Sequence, residues 1–394
     1  MKKIAIIKWA ITLGGGGDRQ ALELAINLQK LGYEVDIFCL EVNKEKCYPD
    51  LINKLNVYSV ESRKKKEIYL LANYPLFQKF LLFIPNIYRK RHNLLALKDL
   101  VMEQHLKNNY DVFNYHEGEV IKMASFFEKR KNYWMLNDIF VKGDGLRDTL
   151  SKKRDNFFIK IVYKKYINRI IVLDNINKKN VKKYFDANAV IVRSGLDQKS
   201  FYFKREYLVK NKLSILATGI FFPRRRHEDL IETMNILIND EKLRNISLSI
   251  IGELRTDPVY AERIKTLIKK YRLRAYIKLL SRVSEKKLTR YYQTSDIFVF
   301  PNNPQTWGLA VFEAMIAGCV SIVSRGAGAH EVLEDNKTAF LVNPESPAQI
   351  ASKIKKLINN PTLLKNVSIN GQRFVSKNIS WDNYAKGMVQ TFSK

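Results

Sequence analysis

The sequence predicts an α/β protein built from two Rossmann-like, doubly wound domains that face each other across a cleft. Its 394 residues exceed one ordinary domain and suit two, each large enough to bury a core. Apolar runs of strand length alternate with helical patterns, as in the βαβ units of a parallel sheet. The alternation restarts after residue 198, which sets domains at 1–198 and 199–375 and leaves a last helical stretch at 376–394.

The first half opens on a short apolar strand, Ile4 to Lys8, followed by four glycines, Gly14 to Gly17. Ala21, Leu24, Ala25 and Leu28 mark one face of a helix from Arg19 to Lys30, which Gly32 stops before a second strand, Val35 to Leu40. The glycines allow close backbone approach to a ligand at a helix N-terminus, although their spacing is not a dinucleotide fingerprint. Between Ser62 and Lys107, basic clusters at Arg63 to Lys66 and Arg89 to Arg91 flank leucines and aromatics. That pattern fits a core helix pair with solvated lysines, or an interfacial segment on anionic lipid. Pro75 and Pro85 argue against one continuous helix lying on a membrane.

Two later strands run into polar residues, Tyr110 to His116 into Glu117 and Tyr133 to Leu136 into Asn137 and Asp138. Ligands of open α/β sheets bind beyond the carboxyl ends of the strands. His116, Glu117, Asn137 and Asp138 are therefore candidates to line a site, with a cap or turn the plainer reading of Asn137. Ile170 to Leu173 and Val190 to Val192 are further strands, and Ser194 to Asp197 form a turn that closes this half.

In the second half, a strand from Ser214 to Ala217 ends at Thr218 and Gly219, and the loop after it carries Arg224, Arg225 and Arg226. A helix from about Glu228 turns Leu230, Ile231 and Met234 inward. Leu248 to Ile251 is a strand ending at Gly252 and Glu253. Ile277 to Leu280 runs into Ser281, Arg282 and Val283 before Ser284 caps a helix. The most informative stretch is Pro301 to Glu331. An apolar strand, Ile297 to Phe300, gives way to a polar loop, and Gly308 opens a helix with Leu309, Phe312 and Ile316 at helical spacing. Gly318 ends it, and the strand Val320 to Val323 closes on Arg325 to Gly328. Such an edge aims helix N–H groups and positive dipole above the strand ends, a place suited to an anionic diphosphate. Glu313, inside this largely apolar helix, is the polar residue that asks for a task. Pro361 to Lys394 reads as helical, with Trp381, Tyr384 and Met388 on one side.

Composition describes a soluble globular protein, 46% hydrophobic and 27% charged. The formal charge of +29 fits anionic partners, namely phosphorylated substrates, lipid headgroups or nucleic acid, but it is dispersed along the chain and forms no recognisable nucleic-acid module. Cys39, Cys47 and Cys319 lack metal-ligand spacing; Cys39 and Cys319 lie in strand-like runs and read as buried thiols in a reducing compartment. The lysine-led apolar start is read as a first strand and not a secretory signal, and no apolar run reaches the length of a membrane span.

These motifs resemble the retaining, nucleotide-sugar-dependent glycosyltransferases of family 4, with the GT-B fold, along nearly the whole chain. QTWGLAVFEAMIAGCVSIVS resembles the family's glutamate-bearing signature, GAGAHEVLEDNKTAFLV the loop and hairpin after it, and TGIFFPRRRHEDLI the donor-phosphate loop. GGGGDRQALELAINLQKLGYEVDIF resembles the family's glycine loop and first helix, and VIVRSGLD the turn before the donor domain.

The resemblance implies a fold whose C-terminal helix crosses back onto the first domain, and an enzyme that moves a hexosyl-type group from a nucleoside-diphosphate sugar with retention. Carried over by position, Glu313 binds the ribose hydroxyls, and the amides of Gly308 and Leu309 take the diphosphate. Arg225, with Arg224 and Arg226, neutralises the phosphates beside Gly219. Arg282 and Val283 hold the base edge, Gly15 and Gly16 lie beneath the sugar and phosphates, and Gln305 and Trp307 complete the donor set. His116 and Asp138, with Arg225 and Gln305, are the implied catalytic residues.

The same resemblance implies no metal and no cofactor beyond the donor substrate. It implies a glycan or lipid-linked acceptor of surface polysaccharide synthesis. The buried thiols and the basic, aromatic first domain are expected to place the protein in the cytoplasm, peripheral at the inner face of an anionic membrane, and without a nucleic-acid module no nucleic-acid partner is expected. The chain departs from the family at three positions. Gln305 replaces a glutamate that contacts sugar hydroxyls, Ile220 replaces the arginine after Gly219, and Asn137 stands where many members carry a histidine that supports the transferred sugar. The competing readings are an epimerase-like enzyme on the same fold and a non-enzymatic binder of anions or nucleic acid.

Overall fold

The computed structural model describes residues 2–12, 14–61, 86–137, 160–205, 212–304 and 307–393. The chain divides into two compact units, Met1–Arg193 with Tyr384–Lys394, and Ser194–Asn383. Each is a parallel sheet flanked by helices, because its strands are apolar on both faces and need covering on both.

The first sheet runs β5-β3-β1-β6-β7-β8-β9, from β1 (Lys3–Ile7), β3 (Glu34–Cys39), β5 (Asn56–Ser59), β6 (Val112–His116), β7 (Asn132–Met135), β8 (Arg169–Val172) and β9 (Ala189–Ile191). Every pairing in it is parallel. A small parallel pair, β2 (Ala10–Ile11) with β4 (Glu41–Val42), lies beside it in sequence. Ile7, Phe38, Phe113, Tyr115 and Trp134 share one core, and full burial of such side chains contributes about 1.5–3 kcal/mol each.

The second sheet runs β12-β11-β10-β13-β14-β15, from β10 (Leu213–Thr218), β11 (Ile246–Ile251), β12 (Ile277–Leu280), β13 (Ile297–Phe300), β14 (Val320–Ser324) and β15 (Phe340–Val342). It too is wholly parallel. Its core gathers Ile215, Ile250, Ile297, Val320 and Ile322 with Ile231 and Met234 of the helix His227–Asn235. In each sheet the direction of winding reverses once, between β1 and β6 and between β10 and β13. The carboxyl ends at such a reversal leave a crevice, which is where ligands of open sheets bind.

Four local features differ from the sequence expectation. The first helix begins at Gly16, so Gly16 and Gly17 form its first turn and the glycine loop is shorter. β5 and the β2–β4 pair are too short for periodicity to reveal. β15 joins β14 in parallel where a hairpin strand was expected, and Asp335 and Ala339 make an isolated bridge before it. The terminal helical stretch is two helices, Pro361–Asn378 and Trp381–Phe392, with Trp381, Tyr384 and Met388 all buried. Of the basic stretch from Ser62 to Lys107, residues 86 onward form the helix Asn86–Asn108, and 62–85 lie outside the described residues. Cys39, Cys47 and Cys319 are buried thiols, and burial pushes Cys39 up to about 12. Among the described residues no helix is long and apolar enough to cross a membrane.

Candidate functional site

Gly308 caps the helix Leu309–Ile316 from the left-handed region, φ 80°, a conformation that a residue with a Cβ adopts only with strain. The turn exposes the amides of Gly308 and Leu309 at the helix start, while Val311, Phe312, Met315 and Ile316 bury the other side. Glu313 is half-buried, and its Oε2 accepts a 3.0 Å hydrogen bond from the Tyr292 hydroxyl. Tyr292 is wholly buried in the helix Glu285–Thr294, and its oxygen lies 3.2 Å from Thr218 Oγ1 at the end of β10. Burial, and then the Glu313 carboxylate, hold the Tyr292 phenol well above its ordinary value, so it stays a donor. The chain Thr218–Tyr292–Glu313 therefore fixes a carboxylate, a group that accepts from hydroxyl donors.

Beyond β10 the backbone crowds. A Cβ on Gly252 would lie 1.8 Å from the Gly219 carbonyl oxygen, so only glycine lets the ends of β10 and β11 approach this closely. The loop after Gly219 turns through Pro223–Arg225 and delivers the three arginines to different places. Arg225 runs back alongside Gly219, where a Cβ would meet its Cδ at 3.4 Å. Arg224 lies over the Phe222 ring, and its carbonyl accepts from Asn303 N at 2.9 Å.

Arg226 is placed apart from Arg225 and against carboxylates. It starts the next helix at φ 54° and gives its guanidinium to Asp229, through Nε at 3.1 Å and Nη2 at 2.7 Å, with Glu228 at 3.3 Å. A guanidinium held in this bidentate fork is structural. Behind it, Tyr260 donates to Glu228 and accepts from His227 N at 2.8 Å. Burial and the neighbouring Arg225 charge push His227 down to about 3, so it is neutral.

Trp307 points inward. It is buried, its Nε1 donates to the Ser194 carbonyl at 3.0 Å and its ring packs on Phe312, so it braces the loop from inside. Arg282 and Val283 lie in the loop after the edge strand β12, Arg282 exposed and Val283 half-buried. Gln305 lies outside the described residues.

In the first unit, the ends of β1 and β6 carry a second cluster. Lys8, one residue past β1, is buried; its Nζ pairs with Asp18 at 3.2 Å and with Glu117. Asp18 also accepts from Gly14 N at 3.1 Å, which ties the glycine loop to the pair. Glu117 is exposed and sits at φ 79°, a costly backbone conformation for a residue with a side chain.

His116 is buried at the end of β6. Asn114 Nδ2 donates to the Tyr133 carbonyl, leaving its Oδ1 2.9 Å from His116 Nε2, which therefore carries the proton. His116 Nδ1 is buried and has no hydrogen-bond partner among the described residues. Burial and the Lys8 charge lower this histidine to about 3, so it is a neutral ring with a bare lone pair. Asn137 follows β7, its carbonyl accepting from Asn177 Nδ2 at 2.9 Å; Asp138 lies outside the described residues. Gly15 and Gly16 are exposed, and a Cβ on either would meet nothing within 4 Å.

Sequence reasoning missed Tyr292, Lys8, Asp18 and Asn114. Lys8 had a signal, a lysine closing an apolar strand, whereas Tyr292 looked like any aromatic on an amphipathic helix.

Residues 198–374 match the family model described as glycosyl transferases group 1. This stretch is similar to the group 1 glycosyltransferases. The matched stretch coincides with most of the second unit, where Glu313, Arg225 and Gly308 lie. Over 378 residues, 92% of this chain and 90% of the relative, the sequence is 24% identical to an uncharacterized glycosyltransferase of Methanocaldococcus jannaschii. The capsular polysaccharide biosynthesis glycosyltransferase CapM of Staphylococcus aureus is 25% identical over 232 residues, 57% of this chain. Here the chain spans 59% of the relative's length, and 58% of a second M. jannaschii glycosyltransferase. The fold of the whole chain matches GT-B structures. Anabaena HepE, solved in complex with UDP and glucose, superposes with a TM-score of 0.75 at 12% identity, covering 100% of both chains.

Proposed function

We propose that the protein is a retaining glycosyltransferase of family 4 that moves a hexosyl-type group from a nucleoside-diphosphate sugar to a glycan or lipid-linked acceptor. The observation that carries this reading is the pairing, within the matched stretch, of the Tyr292-held Glu313 carboxylate with the Gly308 helix start and Arg225 at one sheet reversal. Glu313 takes the ribose hydroxyls, and the amides of Gly308 and Leu309 take the diphosphate. Arg225 and Arg224 balance charge that grows on the leaving diphosphate in the transition state. In that role they need no metal, and the departing phosphate can itself receive the acceptor proton. A nucleotide-sugar donor is supported by HepE, whose structures hold UDP and UDP-glucose. A surface polysaccharide acceptor is supported by CapM. Arg282 and Val283 are assigned to the base edge.

On the acceptor side, His116 offers its Nδ1 lone pair to a hydroxyl rather than titrating near neutrality, because burial holds it at about 3. The +29 charge supports a peripheral place on an anionic, cytoplasmic membrane face. The test is donor hydrolysis and transfer with UDP, GDP and ADP sugars. Arg225→Ala and Glu313→Ala are each expected to lower kcat/KM by about 100-fold or more. Wild-type turnover in both variants would sink the assignment.

A further inference from the structure

One amide ties together the two loops at the second sheet's reversal. Asn302, two residues past β13 and only 2% exposed, has its side chain against Arg225. With the amide oriented to satisfy both ends, its oxygen accepts from Arg225 Nη1 at 2.8 Å and its nitrogen donates to the Arg225 carbonyl at 3.3 Å. The next residue repeats the link, since Asn303 N donates to the Arg224 carbonyl at 2.9 Å. Asn303 is itself crowded by Gly326, where a Cβ would lie 2.6 Å from its Oδ1. The arginine loop is thus stitched to the β13 loop at successive residues.

Ile220 explains why the stitch matters. It follows Gly219 directly, is 38% exposed and puts an apolar side chain at an edge where a diphosphate would need charge. Arg225 runs back beside Gly219 into this neighbourhood. A long arginine side chain loses rotamer freedom when it engages a phosphate, and a partner that orders it beforehand removes that cost from binding. Asn302 is suited to this because it is neutral. A carboxylate in its place would hold the guanidinium as well but cancel the charge.

We propose that Asn302 is the positioning residue for Arg225, a buried amide clamp that lets one fixed guanidinium serve a nucleoside diphosphate beside the apolar Ile220. The proposal rests on the donor-site reading above. Calorimetry with UDP, GDP and ADP on the full chain tests it. Asn302→Ala is expected to weaken the nucleotide that wild type binds by roughly tenfold. In an Arg225→Ala background the same change should have no further effect. Asn302→Asp, which keeps a partner for Arg225, is expected to melt at or above the wild-type temperature yet bind the nucleotide more weakly than Asn302→Ala. Wild-type affinity in both single variants, or a tenfold loss that persists without Arg225, overturns the clamp alone. A wild-type protein that binds none of the three nucleotides overturns the donor reading together with it.

Discussion

The reversal of the first sheet buries its cation between carboxylates, whereas that of the second holds its cation with an amide. Lys8 faces both Asp18 and Glu117, one positive group against two negative ones, and this balance does not attract phosphate. Arg225 lies against Asn302, a neutral amide that does not itself cancel charge. Each reversal also keeps a buried neutral histidine beside its cation, His116 by Lys8 and His227 by Arg225. The same local architecture therefore serves two chemistries. The first end carries the Lys8–Glu117 pair and the bare Nδ1 of His116, and the second carries Arg225 and the start of the helix Leu309–Ile316. What separates them is the charge of the residue that holds the cation, not the fold around it.

The comparison breaks most visibly at Lys8. Lys8→Met strands the buried Asp18 carboxylate, and loss of one partner from a buried pair costs about 3–5 kcal/mol. Chemical denaturation should show that drop, while Arg225→Ala should lower activity with a smaller stability loss, about 1–3 kcal/mol at most for the buried Asn302 oxygen it leaves without that donor; equal stability losses would erase the distinction.

Acid is next. Both histidines fall from an ordinary 6.5 to about 3, so the unfolded chain binds protons that the folded chain refuses. Stability from them is complete above about 6.5 and drains away as the pH falls toward 3. At pH 5 each costs about 2 kcal/mol. Urea midpoints at pH 7 and 5, in wild type and in His116→Gln and His227→Gln, measure each share. Midpoints that do not move with pH in wild type would mean that the rings take up protons freely in the folded state.

Tyr292→Phe removes the hydroxyl that holds Glu313, worth about 1–1.5 kcal/mol, so nucleotide affinity should fall roughly tenfold while the variant still folds. Unchanged affinity would show that Glu313 needs no anchor. The smallest effect concerns Gly15 and Gly16. A Cβ there meets open space, so Gly15→Ala should alter melting by less than about 0.5 kcal/mol. Any activity it loses then reports ligand approach and not folding.

Much of this was legible in the chain itself. The apolar runs of β1, β6, β10 and β13 and the helical spacing of Leu309, Phe312 and Ile316 set a parallel, doubly wound architecture, because burial on both faces requires that pattern. Glycines with polar residues at strand ends marked the edges where Glu313, Arg225 and His116 stand. Periodicity could not separate three adjacent arginines. Arg224, Arg225 and Arg226 look alike in sequence, and only a turn through φ 54° at Arg226 sends one guanidinium to Asp229 and another back to Gly219. Nor could it tell that Trp307 faces inward, that Lys8 meets Asp18, or that Tyr292 reaches Glu313 across 21 positions. Sequence determined which faces must be buried, since that is a property of each segment. Tertiary structure decided which charged groups meet carboxylates and which meets an amide, since that depends on partners brought together from distant strands.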